Sequence, residues 1–106
     1  MDSRIEKALS TFHNPHSCAQ AVYAAFKDID EEKMASLKAE SSGRAPGGLC
    51  GALHAAILIQ PAEAEEISAE FTEKTGSTIC REIKLEHKTP CIECVKAAAE
   101  SLAKRM

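Results

Sequence analysis

The chain has 106 residues, 44% of them apolar and 27% charged, with a net charge of −3; this is the composition of a folded domain and excludes a disordered one. A single domain of that length buries about 65% of its unfolded surface and folds without disulfide staples. The basic residues are scattered rather than gathered, so nucleic-acid binding is not expected.

The segment from Met1 to Lys7 has no apolar h-region, and no run approaches the roughly 20 apolar residues of a bilayer span. The expectation is a cytoplasmic protein without membrane insertion. Aromatic residues are only 4% and Trp is absent, so Ala, Leu and Ile supply the core and helices can approach closely.

In chain order, Ile5, Ala8, Leu9 and Phe12 recur at helical spacing. Asn14-Pro15 then reads as a cap followed by proline at a first helical position. This predicts a second helix from about Pro15 to Ile29, with Cys18, Val22, Ala25 and Ile29 on one face. Asp30 is placed to cap a short, mostly solvated third helix holding Lys33, Met34 and Leu37. The stretch Ser41 to Gly48 concentrates three glycines and a proline and reads as a loop.

Leu49 to Gln60 predicts the next helix, with Cys50, Leu53 and Ile57 on one face; Pro61 fits either its termination or the first turn of its successor. Glu63 to Lys74 predicts an amphipathic helix presenting Ala64, Ile67 and Phe71 and ending at Gly76 in the left-handed conformation. Ser77 opens a short helix holding Cys80 and Ile83, and the last helix carries the stripe Ile92, Val95, Ala99, Leu102 and Met106. Two-residue alternation is absent throughout. The fold class predicted is all-α, one domain over 1–106, a compact bundle of about five to seven short helices with no sheet.

Five cysteines without a secretory signal point to reactive or metal-ligating thiols rather than a disulfide framework. A single buried cysteine is ordinarily a small hydrophobe. Here, however, Cys18, Cys50, Cys80 and Cys91 each fall near the start of a predicted helix, where unpaired N–H groups favour a thiolate.

Cys91-Ile92-Glu93-Cys94 is a C-x-x-C behind a proline, but no strand precedes it as in a thioredoxin-like fold. On a helical wheel Cys94 projects about 110° from the centre of the apolar stripe and Cys91 about 50°, which makes Cys91 the better site candidate. A structural zinc site commonly needs a second such pair, so zinc is an alternative. His54, one turn after Cys50, could activate that thiol, supply a fourth metal ligand, or be a partly exposed helix histidine.

Taken together, Cys18-Ala19-Gln20-Ala21-Val22, Gly43-Arg44-Ala45-Pro46-Gly47-Gly48-Leu49, Cys50-Gly51-Ala52, Gly76-Ser77-Thr78-Ile79-Cys80-Arg81-Glu82 and Cys91 resemble a known family. It is that of small four-cysteine proteins to which redox activity is ascribed, named C_GCAxxG_C_C. The sequence departs from it in two places: Ala55 stands where the C-G-A-x-x-G motif ends in glycine, and Cys94 lies outside the four-cysteine pattern. The resemblance implies a helical fold with Cys18, Cys50, Cys80 and Cys91 as site residues. Through similarity to the cluster-bearing region of split-Soret cytochromes, it also implies an iron–sulfur centre, since four thiolates satisfy a [2Fe-2S] cluster. No C-x-x-C-H sequence is present, so covalent haem is not expected.

Three functions follow. The first is electron transfer or redox sensing through a [2Fe-2S] centre held by Cys18, Cys50, Cys80 and Cys91, with the 43–48 loop wrapped around it. The second is a thiol–disulfide redox protein in which Cys50, aided by His54, attacks and a neighbouring cysteine resolves. The third is a non-catalytic zinc-binding or adaptor module whose Ala-rich helices form a homodimer interface. The first two require a redox partner protein.

Overall fold

A computed structural model of the chain describes residues 3–12, 16–27, 31–39 and 48–105, the side chain of residue 33 excepted. Among these residues it is all-α, with no sheet: α1 (Ser3–Thr11), α2 (Cys18–Phe26), α3 (Glu31–Ala39), α4 (Gly51–Ile59), α5 (Ala64–Thr75), α6 (Cys80–Glu82) and α7 (Cys91–Ala103). The expected cap residues Asn14 and Asp30, the loop at 41–47 and Met106 lie outside the described residues. No helix among those described is long and apolar enough to cross a membrane.

Helix α2 begins three residues later than the Asn14-Pro15 signal suggests, because Ser17 and Gln20 close a reciprocal capping box. The Gln20 backbone N–H donates to Ser17 Oγ and the Ser17 N–H donates to Gln20 Oε1, at 3.4 and 2.8 Å. These two bonds satisfy two helix-start donors at once. The Gln20 side-chain amide also donates to the Met34 carbonyl at 2.8 Å, tying α3 to α2. Among the described side chains of α3 only Leu37 is fully buried, so that helix is mostly solvated as expected.

Pro61 takes the second of its two expected roles, opening a 3-10 turn (Pro61–Glu63) that feeds α5. Helix α5 ends at Gly76 with φ +98°, and the Gly76 N–H donates to the Thr72 carbonyl at 2.8 Å. The left-handed conformation is cheap only for glycine. A Cβ there would also collide with the His87 ring.

The short helix starts at Cys80 rather than Ser77, because the Ser77 hydroxyl is occupied in a turn. It accepts from the Ile79 N–H at 3.1 Å and donates to Glu82 Oε1 at 2.7 Å. From Ile83 to His87 the chain widens into a π-helical turn, closed by Lys88 at φ +54°. The Thr89 hydroxyl then donates to the Thr75 carbonyl at 3.1 Å, fastening the turn to the end of α5.

Helices α4 and α7 form the centre of the bundle. Helix α7 packs against α1, α2, α4 and α5, and α4 packs against α2, α5 and α7. Ala52, Ala55, Ala56, Ala97, Ala98 and Ala99 are all buried, and such small side chains let two enclosed helices lie close together. The methyl of Ala55, where the motif has glycine, is fully buried in this packing.

On α7 the structure corrects the wheel in two places. Ile92 is 38% exposed, whereas Cys94 is 3% exposed. With neighbours on several sides, α7 buries far more than one stripe, and Cys94 points inward.

Candidate functional site

The four helix starts converge. Cys18, Cys80 and Cys91 are the first residues of α2, α6 and α7, and Cys50 is the residue that caps α4. One backbone link draws two of them together: the Cys50 N–H donates to the Thr78 carbonyl at 2.9 Å, beside an isolated bridge between Leu49 and Ile79. This sets the start of α4 against the start of α6.

All five cysteines line one small cavity, closed by Ile83, Lys84 and Thr89. Its volume is about 10 Å³, room for about one water molecule. All five thiols are free, four are buried and Cys91 is half-buried. His54 is not among the lining residues; its backbone N–H donates to the Cys50 carbonyl at 2.8 Å as part of α4.

The cavity holds an unequal thiol pair. The Cys94 S–H donates to Cys50, and this hydrogen bond is the main reason the Cys50 thiol is lowered to about 7, against burial, which raises it. Cys50 makes no formal cap hydrogen bond, but the Leu53 and Ala52 N–H groups favour its charged form, and Lys84 adds a smaller attraction. Cys94 moves the opposite way: its bond to Cys50, then burial, hold it strongly protonated. The pair therefore shares one proton, with the negative charge on Cys50.

The remaining groups divide between burial and charge. Burial raises the Cys80 thiol, partly offset by Lys84. Lys84 is raised, chiefly by its proximity to Cys91 and in smaller part by Cys80. A cation on the exposed π turn thus faces the thiols at the cavity mouth.

Soft thiolate donors suit zinc or an iron–sulfur centre by their chemistry. The spacing does not fit: among the described residues no three His, Cys, Asp or Glu side chains are grouped so as to hold a metal ion. The sulfurs surround one cavity without closing into a ligand set.

Sequence reasoning set aside Cys94 and missed Lys84. A signal for each was present. Residues i and i+3 project about 60° apart on a helix, so a C-x-x-C with one cysteine at a site puts the other near it. Lys84 lies four residues after Cys80, one turn along.

A family model described as "Putative redox-active protein (C_GCAxxG_C_C)" matches residues 16–105. No curated protein and no solved structure matches the chain. The matched span covers all five cysteines and every element of the site, and on that match the chain belongs to the C_GCAxxG_C_C family.

Proposed function

We propose that the protein is a thiol–disulfide redox carrier whose working couple is Cys50 and Cys94. The observation that carries this reading is that both sulfurs are buried against one small cavity, where Cys94 draws the Cys50 thiol down and is itself held protonated. A thiolate beside a thiol is the arrangement from which a disulfide forms with least rearrangement. Oxidation joins Cys50 Sγ to Cys94 Sγ and passes two electrons to a disulfide-bearing partner, which takes up the proton released by Cys94 and one more from solvent and is reduced to two thiols.

The iron–sulfur reading rests on a different observation, the meeting of the four pattern cysteines at one cavity. It requires the sulfurs to move together into a ligand set that the present spacing does not form.

One preparation separates the two. Purified without oxygen, the dithiol protein is colourless, and mild oxidation removes two of its five free thiols, with Cys50 and Cys94 recovered in one cross-linked peptide pair. Absorption between about 400 and 600 nm with about two irons per chain would reverse the choice.

A further inference from the structure

We propose that Cys91 is the port of this site, the thiol that exchanges directly with a disulfide-bearing partner and hands the oxidation inward to Cys50 and Cys94. The inference rests on the thiol–disulfide reading and adds to it which sulfur meets the partner.

The geometry separates two tasks. Cys50 and Cys94 are 4% and 3% exposed, and the cavity in front of them is about 10 Å³. A sulfur attached to anything larger than a hydrogen or two cannot reach them in line. In-line approach of three sulfurs is what exchange demands. Cys91 is the half-buried cysteine of the five and lines the same cavity, so it faces both solvent and the inner pair.

Its surroundings suit the task. Cys91 opens α7 directly after Pro90, where the free N–H groups of a helix start attract negative charge. The Lys84 ammonium stands beside it on the π turn. An attacking sulfur so placed stands beside a cation and stays open to solvent. Cys94 follows three residues later on the same helix and lines the same cavity.

The exchange balances in three steps. Cys91 thiolate attacks one sulfur of the partner disulfide; the partner's S–S bond breaks and its first sulfur leaves as a thiol after taking up a proton. Cys50 thiolate then attacks Cys91 Sγ, forming a Cys50–Cys91 disulfide and expelling the partner's second sulfur. Finally Cys94 transfers its proton to the departing Cys91 sulfur and attacks Cys50 Sγ, leaving a Cys50–Cys94 disulfide and a free Cys91. Two electrons have passed from the inner pair to the partner.

Glutathione disulfide serves as the probe, with products mapped by peptide mass spectrometry. In Cys50→Ser the reaction should stall with glutathione on Cys91, and in Cys94→Ser it should stall as the Cys50–Cys91 disulfide. Cys91→Ser should form the inner disulfide about tenfold more slowly or worse. Glutathione found on Cys18 or Cys80 in Cys50→Ser, or an inner disulfide formed by Cys91→Ser within about twofold of the parent rate, overturns the port while leaving the inner pair standing. Should the parent protein form no Cys50–Cys94 disulfide with any thiol oxidant, the function proposed above fails and the port fails with it. Because the two trapping variants keep Cys91, their result decides even if Cys91→Ser folds poorly.

Discussion

Helix α7 and the segment from Cys80 to Lys88 both deliver sulfur to one cavity, and they are built in opposite ways. Helix α7 is enclosed by four other helices, with Val95, Ala98, Ala99 and Leu102 fully buried. The Cys80–Lys88 segment anchors itself through Cys80 and Ile83 and leaves Leu85 66% exposed. Its irregular parts, a π turn and a left-handed Lys88, are held by local bonds, among them Ser77 to Glu82, the Lys88 and Thr89 N–H groups to the Ile83 carbonyl, and the Thr89 hydroxyl to Thr75. The difference teaches where rigidity and adjustment reside. Cys94, the partner of the Cys50 sulfur, sits on the enclosed element, while Lys84, the charge at the mouth, sits on the more exposed one, where local opening should cost less.

The strongest way to break the comparison is to empty the core beneath α7. Leu102→Ala removes a fully buried side chain and should destabilise by about 2–5 kcal/mol, whereas Leu85→Ala should change stability by less than about 0.5 kcal/mol. Thermal unfolding of the two variants measures both; equal losses would show that the two regions are held alike.

Gly76→Ala strikes the joint between the regions. It places a side chain at φ +98° and pushes a methyl into the His87 ring. A cost of about 1–3 kcal/mol is expected, with faster amide exchange concentrated in 80–89. Exchange rising equally along α7 would mean that the turn is not a separate unit.

These contrasts explain what could be read from the chain beforehand. Gly76 as a helix stop was legible because glycine alone tolerates that conformation. The four helix-start cysteines were legible because each follows a local punctuation signal: Asn14-Pro15, the glycines before Cys50, the Gly76-Ser77 turn, and Pro90. Cys94 was not, since the wheel argument assumes one buried face and α7 has neighbours on several sides. The start of α2 was misjudged because two N-terminal signals lie close together, and the reciprocal Ser17–Gln20 box supplies two hydrogen bonds where a proline supplies only a preset φ. The π turn has no composition of its own. It arises where Lys88 donates to the Ile83 carbonyl and the chain must return to the end of α5.

A smaller effect lies on the far side of the rigid element. Glu70 on α5 accepts two parallel bonds from the Arg105 guanidinium, each 2.9 Å, and one from Ser101 at 2.7 Å. The Arg105 guanidinium first, then Ser101, hold its carboxyl at about 2, below the ordinary 4.5. A lowered folded-state value means stability that is complete above about 4.5 and lost as pH falls through about 2. The pair is partly solvated, so Glu70→Gln should cost about 1 kcal/mol or less at pH 7. Parent and variant should converge near pH 2; a gap that stays constant across that window would show that the carboxylate charge is not what joins α5 to α7.

The smallest change in stability, and the one that sharpens the comparison most, is Lys84→Gln. Lys84 is exposed, so unfolding should be unaltered within about 0.5 kcal/mol. Its charge lowers Cys50 and restrains the rise of Cys80, and it is only a minor contributor at Cys50, behind the Cys94 hydrogen bond and the α4 amides. The midpoint of the Cys50 titration, followed by the Cβ chemical shift of cysteine-labelled protein and expected at about 7 in the parent, should therefore move upward by less than about one unit, since a surface charge acts through screened solvent. Cys94→Ala should move it further in the same direction. If Lys84→Gln shifts the midpoint more than Cys94→Ala does, the exposed turn rather than the buried helix sets the thiolate, and the division of labour between the two regions is reversed.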